Sequence, residues 1–185
     1  MNQHKYNNLT IEVYNEPTYK LGSADNNFNY SKYYLGDNAE KHPTSKHGVK
    51  LFRGNEIIDS CIIIGSGGAT GVHQNSSVID DDQLVICCCD TVFSLSLPDL
   101  ELNWKTQADQ ITCFQIFKLQ DDFLVHGELQ ISRIDKDGKI KWQFGGNDIF
   151  VSIEGEEEFK LAEDHIVLAD FAKTKYKIDF NGKLL

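Results

Sequence analysis

The sequence predicts an all-β fold built from antiparallel four-stranded meander repeats. A unit recurs three times: an acidic pair, an apolar strand, a second strand, then a tight turn into a third strand. It reads Asp81-Asp82-Gln83-Leu84-Val85 leading to Leu97-Pro98-Asp99 and Trp104, and again Asp121-Asp122-Phe123-Leu124-Val125 leading to Ile134-Asp135-Lys136-Asp137-Gly138 and Trp142. The third copy runs from Glu163-Asp164-His165-Ile166-Val167 to Ile178-Asp179-Phe180-Asn181-Gly182. Short apolar runs separated by Gly, Asp and Asn, with no sustained helical spacing, complete the argument for strands.

Taken in chain order, residues 1 to about 48 read as an irregular N-terminal segment rich in Asn, Tyr and Lys. Strands are expected there at Leu9 to Tyr14 and Tyr30 to Leu35, and a loop from Gly36 to Gly48. Residues 49 to 185 read as the three repeats, the whole chain forming a single domain. Each repeat opens on a strand, at Ile57 to Ile64, Ile111 to Leu119 and Ile149 to Ile153. The second strands are Leu84 to Cys89, Phe123 to His126 and Ile166 to Ala169; the third are Val92 to Leu97, Leu129 to Ile134 and Thr174 to Ile178.

The closing strands alternate with a period of two, with Leu100, Leu102 and Trp104 on one face and Ile140, Trp142 and Phe144 on one face, which places one side in the core and one in water. Phe52 to Ser60 matches Phe144 to Ser152 without a gap, so the same turn chemistry is expected to link a closing strand to the next opener.

Four antiparallel strands in about 40 residues resemble the blade of a β-propeller. The turn Ile134-Asp135-Lys136-Asp137-Gly138-Lys139-Ile140-Lys141-Trp142, echoed by Ile178-Asp179-Phe180-Asn181-Gly182-Lys183, is similar to the loose blade consensus of pyrroloquinoline-quinone-type propellers, and the repeat is WD40-like in kind. The resemblance covers residues 50 to 185, implies a fold and carries no cofactor with it. Three units are few for a ring, and the third stops before its Trp strand. The expectation is an incomplete propeller closed by the strand Leu9 to Tyr14, or a homodimer that completes the sheet.

The chain has 185 residues, 28 acidic and 18 basic side chains and a formal charge of −10, with 41% hydrophobic and 11% aromatic residues. Such a charge disfavours nucleic acid and anionic membranes as partners. The N-terminus lacks an apolar targeting core, and five cysteines lie inside apolar strands, which together suggest a cytoplasmic protein with reduced, buried thiols. No cofactor is expected.

Candidate chemistry is sparse. The loop Gly65-Ser66-Gly67-Gly68-Ala69-Thr70-Gly71-Val72-His73 superficially resembles a phosphate cradle, but no helix follows to supply donors. It reads as an insertion between the first and second strands of the first repeat, and insertions at blade loops form binding faces. Gly67, Gly68, Thr70 and His73, with Asp90 and His126, are therefore the candidate binding residues.

Cys87-Cys88-Cys89 cannot converge on one metal ion, because adjacent strand residues face opposite ways; Cys88 is expected to face opposite to the other two, and no metal site is expected. Asp135-Lys136-Asp137-Gly138 has too few oxygens for calcium and reads as a hairpin turn. The run Glu154-Gly155-Glu156-Glu157-Glu158 reads as a solvated loop.

These observations favour a non-enzymatic interaction module with a protein partner, basic in character, of which an immunity-type inhibitor of a basic toxin is the specific form. The competing class is a small-ligand-binding protein or hydrolase that uses the glycine-rich insertion with His73 and Asp90 or His126.

Overall fold

A computed structural model describes residues 1–152 and 158–185. The described residues fold into four successive sheets. The first contains β1 (Asn2–Tyr6), β2 (Leu9–Asn15), β3 (Lys32–Leu35), β4 (Ser45–Arg53) and β5 (Glu56–Gly65), in the order β1-β2-β4-β5-β3, with β3 parallel to β5. The second is a meander of β6 (Ser77–Asp80), β7 (Gln83–Cys88), β8 (Thr91–Ser96) and β9 (Leu102–Gln107). The third repeats it with β10 (Cys113–Leu119), β11 (Asp122–Gly127), β12 (Gln130–Ile134) and β13 (Ile140–Gly145). The fourth has β14 (Phe159–Leu161), β15 (Ile166–Ala169) and β16 (Lys175–Ile178).

The second strand of each of the two middle sheets is a nearly continuous apolar run because its sheet is sandwiched. Leu84, Ile86 and Cys88 pack with Ile11, Val13, Val49 and Ile63 of the first sheet, while Val85 and Cys87 pack with Ile116, Phe123 and Val125 of the third. On the far side of the third sheet, Leu119, Leu124 and Ile131 meet Phe159, Ile166, Leu168 and Ile178 of the fourth. Burial on both faces removes the alternation that a half-wet strand shows.

Outer edges lock each sheet to the next. Trp104 on β9 donates its indole N–H to the Lys136 carbonyl at 2.9 Å, and Trp142 on β13 donates to the Phe180 carbonyl at 3.0 Å. Each indole lies against the glycine of the neighbouring Asp-x-x-Gly turn. A Cβ on Gly138 would stand 2.6 Å from the Trp104 ring, and one on Gly182 would stand 2.7 Å from the Trp142 ring. Both glycines have positive φ, at 86° and 77°, so backbone conformation and ring contact exclude a side chain together. In the first sheet, Tyr34 on β3 takes the same role and donates to the Leu100 carbonyl at 2.8 Å.

Several expectations are corrected. The run Ile57 to Ile64 belongs to β5 of the first sheet, and the opener of the second sheet is the short β6, whose register with β7 runs from Ser77↔Ile86 to Asp80↔Gln83. The segment before Val49 is not irregular throughout: it supplies β1, β2, β3 and the start of β4. Phe52 to Ser60 is a hairpin within one sheet, whereas Phe144 to Ser152 leaves the third sheet, so their likeness is not structural equivalence.

Residues 149–152 form no strand, and the fourth sheet opens instead at Phe159; Ile153 and the acidic residues Glu154, Glu156 and Glu157 lie outside the described residues. Register shifts at Ser94/Leu95 and Arg133/Ile134 turn Leu102 and Ile140 to the face opposite Trp104 and Trp142. Cys89 follows β7 in the turn at φ 57° and joins Cys88 in the first interface, which leaves Cys87 as the odd one. All five thiols are free and buried.

The strand Leu9–Asn15 does not close a ring. Both of its edges are occupied, by β1 and β4, and its apolar residues Leu9, Ile11 and Val13 face the second sheet. No ladder among the described residues joins the first sheet to the fourth.

If the Trp latch holds neighbouring sheets, Gly138→Ala and Trp104→Ala should each destabilise the fold by about 1–3 kcal/mol. In urea denaturation the double variant is expected to lose clearly less than the sum, since both changes abolish one contact.

Candidate functional site

In a meander the first and third turns of every sheet fall on the same side, because alternate strands reverse direction. Here those turns carry the acidic residues of the repeat. Asp81 and Asp82 lie between β6 and β7, Asp121 lies between β10 and β11, and Glu163 and Asp164 precede β15; all five are exposed. Asp99 and Glu101 lie in the β8–β9 turn, Asp135 and Asp137 in the β12–β13 turn, and Asp179 follows β16. Asp81 adopts φ 46°, a left-handed conformation that Asp tolerates better than most residues.

The third turns are built by their first carboxylates. Asp135 Oδ1 accepts the amides of Asp137 and Lys139 at 3.0 and 2.8 Å, and Asp179 Oδ1 accepts those of Asn181 and Lys183 at 2.8 and 2.9 Å. These donors hold the Asp179 carboxyl below its ordinary range, the Lys183 amide first among them. The turn that superficially suggested a calcium loop thus uses its carboxylate on its own backbone.

Between the second and third sheets the turn face is indented by a groove of about 540 Å³ lined by Asp81, Asp82, Gln83, Asn103, Trp104, Lys136 and Asp137. Asp122, one residue beyond the exposed Asp121, is instead buried. Burial pushes its carboxyl up, but Lys141 at 2.8 Å and Arg133 at 2.5 Å outweigh it and hold the group below its ordinary value. In the third sheet the acidic pair therefore divides its labour: Asp122 is structural and Asp121 is offered to solvent, whereas both members of the Asp81–Asp82 and Glu163–Asp164 pairs are exposed.

The glycine-rich insertion is a connection between sheets, since the strand before it belongs to the first sheet and the strand after it to the second. Thr70 is buried at the junction of three sheets. Its amide donates to Ser45 Oγ at 2.9 Å, its carbonyl accepts from His47 Nε2 at 3.1 Å, and its hydroxyl accepts the Cys89 amide at 2.8 Å and faces the Cys113 carbonyl at 3.5 Å. A Cβ on Gly67 would stand 2.7 Å from the Ile111 carbonyl, and Gly68 would meet the Thr112 hydroxyl, so the loop lies flat on the third sheet.

Asp90 accepts from Thr91 Oγ1 at 2.7 Å and Gln107 Nε2 at 3.0 Å. His73 has an exposed ring that donates to the Phe114 carbonyl at 2.9 Å. His126 is buried, donates to the Phe150 carbonyl at 3.2 Å, and stacks on Phe159 with centroids 4.9 Å apart. The six candidate residues share no cavity described among these residues; Gly67, Gly68 and Thr70 are brought together with sheet backbone, while His73 and His126 each hold a separate backbone carbonyl.

Sequence reasoning missed Asp109. This buried carboxylate accepts the amides of Ile111, Thr112, Leu129 and Gln130 between 2.7 and 3.1 Å, which ties the connection after β9 to the β11–β12 turn. An Asp four residues ahead of β10, in the connection between two strands, is the turn-forming signal that marks it. A further groove of about 480 Å³ runs along the inner strands β1, β6 and β10, where Asn2 Nδ2 and His4 Nε2 each lie 2.8 Å from Ser77 Oγ. No group of His, Cys, Asp and Glu among the described residues is arranged to hold a metal ion.

No known family model matches the chain, and no curated protein sequence matches it. Solved structures do. BamB from Moraxella catarrhalis aligns with a TM-score of 0.51 at 16% identity, over 75% of this chain and 42% of that one. The WD40 β-propeller domain of Doa1 aligns at 0.52 and 13% identity over 96% of this chain and 62% of its own. The AfRom2 CNH domain aligns at 0.50 and 11% identity over 96% and 49%. The fold is β-propeller-like. The chain spans 42% to 62% of the length of these structures, and its sheets form no closed ring among the described residues.

Two outcomes test the interior roles. Thr70→Val strands the Cys89 amide and should cost about 1–3 kcal/mol in chemical denaturation. Burial pushes the His126 imidazole down to about 4 from an ordinary value near 6.5. The unfolded chain then takes up a proton first, so the stability this group provides is full above pH 6.5 and is lost as pH falls towards 4. His126→Gln should flatten the stability profile in that window by about 2–3 kcal/mol.

Proposed function

We propose that the chain is a non-enzymatic protein-interaction module whose acidic turn face receives a basic protein partner. The observation that carries this reading is the alignment of solvent-exposed carboxylates from the turns of three consecutive sheets on one side of the arc. A rigid stack of sheets holds these charges at fixed spacing, which favours steering and register with a cationic surface. The groove beside Trp104 adds an aromatic ring among Asp81, Asp82 and Asp137, a setting suited to an arginine or lysine side chain.

An immunity-type inhibitor of a basic toxin is the specific form proposed. It is supported by the net charge of −10, by the small size, and by a site made of charge rather than of assembled nucleophiles and bases. The placement of Thr70, Asp90 and His126 in interior hydrogen bonds favours this over a hydrolytic site.

Fluorescence anisotropy with a labelled nonaarginine peptide, followed by a basic nuclease domain, tests the reading. Binding should weaken steeply with salt, and Asp81→Lys with Asp137→Lys should reduce affinity about tenfold or more. His73→Ala should leave it unchanged. Salt-insensitive binding, or equal affinity in the charge-reversed variant, would overturn the proposal.

A further inference from the structure

We propose that the outward face of the fourth sheet is a second interaction surface, basic where the turn face is acidic, and that it receives a carboxylate-rich segment of a partner protein. The inference starts from equivalent rows across the three repeats. Facing the next sheet, the second sheet presents Val78, Val85, Ser94 and Trp104 in one row, and the third presents Phe117, Leu124, Arg133 and Trp142. The same row of the fourth sheet reads Lys160, Val167 and Lys177, and the row beside it ends in Ala169 and Lys175.

Where the inner sheets carry an interface, the fourth carries three exposed lysines around two small apolar residues. Its other face, with Phe159, Ile166, Leu168 and Ile178, is fully committed to the third sheet. The lysine face is thus a deliberate change of chemistry at a position the fold elsewhere uses for contact.

Charge selects the occupant. Most cations elsewhere on the sheets are engaged: Lys32 is paired by Asp59, Lys105 by Asp37, Lys118 by Asp80, and Arg133 and Lys141 by Asp122, while Lys5 donates to Thr10 Oγ1, Lys46 to the Pro17 carbonyl and Lys50 lies over Phe28. Lys160, Lys175 and Lys177 make no ion pair among the described residues, although the chain carries ten more acidic than basic side chains. Glu158 is the carboxylate in their rows, opposite Ala169, and Asp164 ahead of β15 feels the charge of Lys177, but neither forms an ion pair with these lysines among the described residues.

A twofold dimer through this face would set lysine against lysine, which is repulsive. The corresponding end of the arc offers no bare sheet either. There Tyr19, Ala39 and Tyr30 cover Ile62 and Ile64 of the first sheet, and Lys50 lies 4.0 Å from the centroid of Phe28. An acidic segment from another protein fits the face, with carboxylates over the lysines and aliphatic carbon over Val167 and Ala169.

Anisotropy of a labelled polyglutamate peptide against the full chain at low ionic strength tests this. The wild type should bind, and Lys160→Glu with Lys177→Glu should weaken binding about tenfold, whereas Lys20→Glu with Lys41→Glu, the same change in net charge on the covering segment, should not. The lysine-face variant should keep its thermal midpoint and its affinity for nonaarginine, which separates this surface from the acidic one. Absence of polyglutamate binding, equal loss in both variants, or concentration-dependent self-association abolished by Lys160→Glu with Lys177→Glu would each overturn it.

Discussion

Burial between neighbouring sheets is the constraint on which the remainder of the molecule depends. No helix among the described residues covers a sheet, so a middle sheet must be apolar on both faces and must find another sheet at the spacing its side chains require. Leu84 and Val85 are adjacent in sequence and serve two different interfaces. The same coupling fixes the ends of the series. A stack whose terminal faces were as apolar as its middle ones would recruit further copies, and repeat folds answer this with polar terminal units. Here the two ends are treated differently: the first sheet is covered by an aromatic segment of the chain itself, and the fourth turns lysines outward.

Because each interface is shared, its lateral position must be pinned, and the pins repeat with the sheets. An aromatic side chain at the outer edge donates a hydrogen bond to a carbonyl in the next sheet's turn, and twice that turn has a glycine against the indole. On the opposite side, Thr70 and Asp109 pin the connections by accepting backbone amides that have no ladder partner. Buried amides need such acceptors, and a short polar side chain supplies them at little conformational cost. This is how the threonine of a glycine-rich loop that reads as a candidate site in sequence also serves as a joint in the fold.

The repeat was legible because its physical causes act over a few residues. Sandwiched strands are apolar throughout, turns need Asp and Gly, and an edge Trp recurs where each latch needs it. What escaped the sequence has causes that act across the chain. β1 is polar in composition and becomes a strand through pairing with β2; β6 is four residues long and hidden behind a loop. Ile57 to Ile64 looks like any opener, and only the pairing of β5 with β3 and β4 assigns it to another sheet. The bulges that separate Ile140 from Trp142 leave no mark in a period-two pattern, since an extra residue in one strand is defined by its partner. The candidate site followed the same division. Acidic turns were visible as residues, but that they share one side is a property of strand direction; the functions of Thr70 and His126 required knowing which carbonyls stand opposite.

A series of sheets with chemically distinct faces also bears on how specificity could arise from charges held on separate turns. Carboxylates on separate turns would be a diffuse charge on a flexible chain, with little power to discriminate among cationic partners. Fixed by the latches, they become a pattern whose spacing is set by the sheet-to-sheet repeat, and a partner gains from several contacts at once only if its own charges match that repeat. Asp122 sharpens the pattern by exclusion. Its pairing with Arg133 and Lys141 removes one carboxylate of the Asp121–Asp122 pair from the solvent side and holds those two cations against it, so that Asp121 alone of this pair is offered to solvent. Lys160, Lys175 and Lys177 stand outside such pairs on one face of the fourth sheet, so the charge each surface shows follows in part from where the ion pairs of the sheets are made.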